Sequence, residues 1–139
     1  LEQRDKSLVS LQEELTFSKA YLNLLSLRFE TGIQIDLQIN AEQHTGFILP
    51  LSLQLLIENA IKHNIISIRK PLLLKIYRKN NYLYVENNLQ KKKVLHDHSG
   101  IGLKNIQERY AILSNLPVYI QESDLLFSVG LPIIHEIVF

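Results

Sequence analysis

The chain has 139 residues and a formal net charge of +1, and it contains no cysteine, methionine or tryptophan. This length predicts about one domain, and the lack of cysteine excludes disulfides and thiolate metal sites. The near-zero net charge argues against nucleic acid or a membrane surface as a general partner, and no apolar run reaches the roughly 20 residues of a membrane span. Because the chain begins at Leu1 and lacks methionine, we expect it to be a piece of a longer protein.

The first predicted element is one long helix over residues 5–31. Its leucines recur at steps of three and four, and Ser18 interrupts the row. A stripe with a period near 3.5 suits packing against a partner helix. An amphipathic helix lying on its own domain is the alternative. Gly32 ends the helix, so we expect a helical segment over residues 1–31 and a domain over residues 32–139.

Strands and two further helices follow. Apolar and polar residues alternate from Ile33 to Ile39, which predicts a half-buried strand, and residues 40–48 read as a loop. Pro50 opens a helix that runs to about Asn64. Later elements are a strand over 72–79, a tight turn at Asn80-Asn81, a strand over 82–87, a charged loop over 89–99, a helix from about Leu103 to Ser114, and a hairpin over 116–133. This order predicts an α+β fold, a two-layer α/β sandwich with a mixed sheet of about five strands and helices on one face.

Four polar side chains share one side of the helix over residues 50–64. Glu58 and Lys62 are four residues apart, as are Asn59 and His63, and the opposite side carries an apolar stripe. An anion, a cation, an amide and an imidazole in this arrangement indicate either a solvated face or the wall of a site for a charged ligand.

Two other segments carry candidate ligand-binding residues. Gly100 and Gly102 stand just before a predicted helix, where backbone N–H groups attract phosphate and glycine permits close approach. The lysine run of residues 91–93 precedes them, so a charged lid over a nucleotide is one interpretation and a solvated loop is the other. Asn87, at the end of a strand, offers both a donor and an acceptor, although an asparagine that simply ends a strand is the plainer interpretation.

Metal and nucleotide motifs of other enzyme classes are absent from the sequence. It contains no Walker phosphate loop, no Gly-x-Gly-x-x-Gly fingerprint and no His-Glu-x-x-His. His96 and His98 flank Asp97 in the charged loop, which is the one place where a histidine metal site could form. Solvated loop histidines are the default there.

Three motifs in this order resemble the ATP-binding domain of sensor histidine kinases. They are ENAIKH at residues 58–63, VENN at residues 85–88 and SGIGLKNI at residues 99–106. The fold is shared with gyrase and MutL, and the resemblance is strongest to the subfamily that signals through LytTR-type response regulators. EELTFSKAYLNLLSLRFE, residues 13–30, looks like the helix that runs from the dimerisation region into the ATPase domain. The resemblance covers essentially the whole chain.

The resemblance implies a role for each matching residue. Asn59 would ligate Mg²⁺, and magnesium needs few protein ligands when it also binds phosphates. Glu58 beside it would orient groups, and Lys62 and His63 would face the phosphates of ATP. Asn87 would read the adenine amino group. The residues that would wrap the nucleotide phosphates or border the nucleotide are Leu89, Gly100, Ile101, Gly102 and Leu103.

The chain departs from the family pattern at the first glycine box. The family reads Asp-x-Gly-x-Gly, where this chain reads Asn87-Asn88-Leu89. A neutral amide is a weaker acceptor than a carboxylate, and leucine removes backbone freedom. Both changes lower the expected affinity for ATP.

The phosphoacceptor is expected outside this chain, because in the subfamily it precedes a phenylalanine and none of the five histidines does so here. The chain alone is therefore expected not to autophosphorylate. The resemblance further implies a homodimeric full-length protein, a response regulator receiver domain as partner, and a cytoplasmic domain of a protein anchored in the inner membrane.

Three alternatives remain open at this point. The first is a degenerate ATPase fold kept for binding and dimerisation without turnover, which the altered glycine box supports. The second is a serine kinase acting on an anti-sigma partner, against which the long first helix argues. The third is a generic α/β domain without nucleotide chemistry.

Overall fold

The computed structural model describes residues 7–92 and 100–135. The helices are α1 (Leu11–Phe29), α2 (Ser52–His63) and α3 (Gly100–Leu113), with short 3-10 helices at Glu30–Gly32 and Ala41–Gln43. The strands are β1 (Val9–Ser10), β2 (Ile33–Gln38), β3 (Phe47–Ile48), β4 (Leu72–Lys79), β5 (Tyr82–Asn88), β6 (Tyr119–Glu122) and β7 (Leu126–Pro132). The predicted α+β architecture is confirmed.

The main sheet has five strands in the order β2-β4-β5-β7-β6. β2 runs parallel to β4, and the other neighbours are antiparallel, so the sheet is mixed as predicted. β1 and β3 form a separate two-stranded pair. The turn between β4 and β5 contains Asn80 at a φ of 56°, a conformation that asparagine tolerates better than most residues.

α1 is shorter than the predicted helix because a strand and a cap precede it. Val9 and Ser10 pair with β3, and the Ser10 hydroxyl accepts a hydrogen bond from the Glu13 N–H at 3.1 Å. A serine cap satisfies one of the orphan donors of a helix start. The described part of the predicted helix therefore begins at Leu11, and residues 1–6 lie outside the described part of the chain.

The leucine row of α1 packs on its own domain. Leu11, Leu15, Leu22 and Leu25 are all buried within the hydrophobic core, and Ser18 is buried in the same row. This burial favours an amphipathic helix that lies on its own domain over a leucine stripe that packs against a partner helix. The division of the chain at residues 31 and 32 stays a prediction.

α2 begins two residues later than predicted. Leu51 stands at its N-cap with a φ of 64° and gives no side-chain cap, and the helix starts at Ser52. Leu53, Leu56, Ile57 and Ala60 are buried against the sheet, as the apolar stripe predicts. The polar side of α2 is thereby turned away from the core.

Tyrosines cover the outer face of the sheet, which we define by Tyr77, Tyr82, Tyr84 and Tyr119. The rings of Tyr77 and Tyr84 stack with centroids 5.2 Å apart, and Tyr82 meets Tyr119 edge-on at 4.8 Å. Gly130 lies under this cluster, because a Cβ atom there would stand 2.6 Å from Tyr84 Cε1. An open depression of about 290 Å³ lies among these rings.

Candidate functional site

The polar side of α2 carries the four residues singled out in the sequence. Glu58 and Lys62 are exposed, and Asn59 and His63 are half-buried. The Glu58 carboxylate accepts a hydrogen bond from Gln54 Nε2 at 2.9 Å. The Nε2 atom of His63 is out of contact with solvent. The structure thus leaves the Asn59 amide and the His63 imidazole partly covered on the polar side of α2.

The start of α3 lies directly against α2. A Cβ atom at Gly102 would stand 3.2 Å from Leu55 Cδ1, so the missing side chain permits the close approach of the two helices. Residues four apart share a helix face, so Asn59 follows one turn after Leu55. Asn59 therefore lies one helical turn along α2 from the residue that Gly102 contacts.

The glycines do not precede α3, as the sequence predicted, but form its first turn. Gly100 is the first helical residue, Ile101 is exposed, and Leu103 is half-buried against the core. Glycine within a helix costs roughly 1 kcal/mol relative to alanine. For Gly102, the tight contact with α2 gives a structural reason for accepting that cost.

Asn87 points to the helix-facing side of the sheet. It follows Leu83 and Val85 on that side and is 3% exposed. Its Nδ2 donates to the carbonyl oxygen of Asn88 at 2.8 Å, which leaves the side-chain oxygen as the group that could accept from a ligand. Asn87 thus faces the helices, and its role toward a ligand stays a prediction.

The two residues after Asn87 make structural hydrogen bonds. Asn88 Oδ1 accepts from the Leu73 N–H at 2.7 Å, and Asn88 Nδ2 donates to the Pro71 oxygen at 3.2 Å. The Leu89 N–H donates to the Leu125 oxygen at 2.9 Å. These bonds hold the altered glycine box to its neighbours.

Asn64, which sequence reasoning treated only as a helix end, joins α2 to the segment after β5. It is 3% exposed, its Nδ2 donates to the Ala60 oxygen at 2.9 Å, and its Oδ1 accepts from the Gln90 N–H at 2.8 Å. The Lys92 N–H also donates to the His63 oxygen at 3.0 Å. Residues 90–92 of the predicted loop are therefore tied to the end of α2.

Two more buried polar side chains escaped the sequence interpretation. Glu14 on α1 is 4% exposed, and burial raises the pKa of its carboxyl although the N–H groups of Leu51 and Leu53 act in the opposite direction. Tyr110 on α3 is 0% exposed, and burial raises its pKa to about 12. Glu14 lies next to Leu15 of the buried row, and the sequence offers no signal that separates it from the exposed carboxylate of Glu13.

Part of the predicted lid falls outside the described residues. The stretch 93–99, which contains Lys93, His96, Asp97 and His98, lies outside the described residues, and so does the histidine metal site suggested there. Lys91 and Lys92 are exposed, and Lys91 Nζ lies 3.3 Å from Glu122 Oε1. In residues 7–92 and 100–135, no three metal-binding side chains of the His, Cys, Asp or Glu type come together.

No helix in the described part of the chain combines the length and the apolar character needed to cross a bilayer.

Sequence comparison finds relatives among bacterial sensor kinases, while no family model matches the chain. The sensor protein LytS of Bacillus cereus is 39% identical over 56 residues, which is 40% of this chain and 10% of LytS. The sensor histidine kinase YesM of Bacillus subtilis is 31% identical over 120 residues, which is 81% of this chain and 21% of YesM. The chain thus spans about a fifth or less of the length of these relatives.

Solved structures share the fold at low sequence identity. The cytoplasmic segment of histidine kinase QseC gives a TM-score of 0.60 at 14% identity, covering 97% of this chain and 82% of that one. The catalytic domain of histidine kinase ThkA gives a TM-score of 0.58 at 11% identity, covering 96% of this chain and 100% of that one. The chain therefore has the fold of histidine kinase catalytic domains, and the sensor proteins LytS and YesM are distant homologues over part of its length.

Proposed function

We propose that this chain binds Mg-ATP and supplies the γ-phosphoryl group for a histidine of an upstream dimerisation region. An aspartate on a response regulator, of the LytTR-associated type, is the proposed final acceptor, and the full-length protein is proposed to act as a membrane-anchored homodimer. The observation that carries the proposal is the contact between the glycine turn of α3 and α2, one helical turn from Asn59.

The side chains at this contact have the chemistry that a magnesium nucleotide requires. The Asn59 side-chain oxygen is a hard ligand of the kind magnesium accepts, and the Glu58 carboxylate stands next to it in the chain. Magnesium, when bound, neutralises charge on the phosphate oxygens. Lys62 adds a cation on the same side of α2, and His63 adds a donor that holds a phosphate oxygen in place.

The first turn of α3 provides the second half of the phosphate site. The N–H groups of Gly100, Ile101, Gly102 and Leu103 lie at the N-terminal end of a helix, where backbone donors and the helix dipole favour an anion. We assign the adenine amino group to Asn87 Oδ1, and Leu89 to the border of the same pocket. These residues position the nucleotide and exclude water, which is the larger part of phosphoryl-transfer catalysis.

Calorimetric titration with Mg-ATP tests the proposal directly. Asn59→Ala should abolish magnesium-dependent nucleotide binding while the circular dichroism spectrum stays unchanged. The matched control is Asn23→Ala, which removes an exposed amide from α1. Unchanged affinity in Asn59→Ala would remove Asn59 from the site.

A second candidate is a nucleotide-fold module that binds partners without turnover. The hydrogen bonds of Asn88 and Leu89 to residues 71, 73 and 125 favour it, because they fill with structural contacts a segment that is glycine-rich in the family. Absence of heat with millimolar Mg-ATP in the unmodified chain would select this second candidate.

A further inference from the structure

The turn that leads from β3 into α2 is held by side chains from elsewhere in the fold. Leu51, in a left-handed conformation, gives α2 no side-chain cap. The first N–H groups of any helix lack intrahelical partners. At α2 the Ser52 N–H donates to the nearby Leu49 oxygen at 3.2 Å, whereas the Leu51 and Leu53 N–H groups donate to a residue that is distant in the chain.

Glu14 of α1 provides the missing cap. Its Oε1 accepts from the Leu51 N–H at 3.1 Å, and its Oε2 accepts from the Leu53 N–H at 3.2 Å. Ionised carboxylates at helix N-termini make charge-assisted hydrogen bonds and interact well with the helix dipole. Because Glu14 is almost fully buried, these bonds tie α1 to the first turn of α2.

Tyr110 of α3 holds the same turn from the other side. Its hydroxyl oxygen accepts from the Leu49 N–H at 3.2 Å, and Ser52 Oγ donates to the Leu49 oxygen at 2.7 Å. Tyr110 lies on the helix that begins with the glycine turn. All three helices therefore meet in one cluster of hydrogen bonds, which we define by the side chains of Glu14, Ser52 and Tyr110, all buried, and the backbone groups of Leu49, Leu51 and Leu53.

Tyr21 of α1 responds electrostatically to the polar side of α2. Burial raises the pKa of Tyr21, and the negative charge of Glu58 on the polar side of α2 raises it further. Glu14 and Tyr21 are seven residues apart, and a seven-residue step is two turns along one helix face. Glu14 and Tyr21 therefore share one face of α1, and that face makes the hydrogen bonds to the start of α2.

We infer that Glu14 and Tyr110 are positioning residues that couple α1 to the nucleotide site. Glu14 sets the first turn of α2 relative to α1, and Tyr110 sets α3 relative to that same turn. A displacement of α1 then changes the separation between Asn59 and the glycine turn. By thermodynamic reciprocity, nucleotide bound between α2 and α3 must also change the stability of α1. This inference rests on the proposed nucleotide site.

The test measures nucleotide affinity and amide hydrogen exchange in the same variants. Glu14→Gln keeps the shape of the side chain but loses the charge and presents an N–H₂ group to one of the two amides. Tyr110→Phe removes only the hydroxyl. The matched controls are Glu13→Gln, an exposed carboxylate next in the chain, and Tyr119→Phe on the outer face of the sheet.

Without nucleotide, Glu14→Gln should speed exchange at the Leu51 and Leu53 amides roughly tenfold, as expected when a hydrogen bond to a charged acceptor is lost. Binding of Mg-ADP, used as the probe, should slow amide exchange along α1 in the unmodified chain. This slowing should be absent in Glu14→Gln. Both variants should bind Mg-ADP several-fold more weakly than their controls. A variant that is only less stable would still show slower amide exchange along α1 when Mg-ADP binds.

The outcomes separate two failures. If the unmodified chain binds Mg-ADP and both variants keep its affinity and its effect on α1, the coupling is refuted while the nucleotide site stands. If the unmodified chain does not bind, the nucleotide site is refuted, and the coupling with it. Should Glu14→Gln fail to fold, Tyr110→Phe decides by the same criteria.

Discussion

Asn64→Ala removes the side chain that joins the end of α2 to the segment after β5. The variant loses two buried hydrogen bonds, the 2.9 Å bond to the Ala60 oxygen and the 2.8 Å bond from the Gln90 N–H. A buried polar group left without its partner costs about 1–3 kcal/mol. We expect the free energy of unfolding to fall by about 3 kcal/mol, and the melting temperature to fall by about 6–12 °C for a domain of this size.

Urea unfolding followed by far-ultraviolet circular dichroism measures this change. The midpoint should fall while the slope with denaturant stays constant, because the surface exposed on unfolding is nearly the same. Asn59→Ala is the matched control on the same helix, and its stability should stay equal or rise slightly, since alanine has the higher helix propensity. A loss below about 1 kcal/mol in Asn64→Ala would refute the assignment of Asn64 as a structural link.

Three further outcomes are expected. Gly130→Ala should lower stability by about 1–3 kcal/mol in thermal unfolding, because its Cβ would stand 2.6 Å from the Tyr84 ring; a neutral result would mean that the ring moves freely. Because burial outweighs the two hydrogen bonds and raises the pKa of Glu14, ionising this buried carboxyl costs stability, so the free energy of unfolding falls as pH rises from the unfolded-state value of 4.5 through the folded-state pKa. Urea titrations across this range should therefore show a fall in stability that Glu14→Gln lacks, and identical profiles would contradict it. Asn87→Asp should tighten Mg-ATP binding in calorimetry if that side chain reads adenine, and an equal or weaker affinity would count against that role.

The sheet and its hairpins could be predicted because their signals are local. Pro71 before an apolar run and Asn80-Asn81 at a turn predict β4 and β5 with the observed turn. The alternation of polar and apolar residues predicted that Asn87 ends a strand, and the structure buries Asn87 on the helix-facing side of the sheet. Such features depend on residues within a few positions of each other.

The links between elements could not be predicted because they depend on distant residues. Glu14 looks like any carboxylate on an amphipathic helix until the start of α2, 37 residues away, is placed beside it. The glycines at residues 100 and 102 looked like a loop because their composition suits one. The contact of Gly102 with Leu55 explains why a glycine is accepted at residue 102 within the helix. The roles of Glu58, Asn59, Lys62 and His63 toward a ligand stay predictions.

The tyrosine cluster on the outer face of the sheet decides how this protein can be observed optically. The chain has six tyrosines and no tryptophan, and four of the tyrosines are in that cluster, on the face of the sheet away from the helices. During a titration with nucleotide, intrinsic tyrosine fluorescence will therefore report mainly on the face of the sheet opposite the helices and the candidate site. An indole introduced by Ile101→Trp would place a single selectively excited fluorophore at the start of α3.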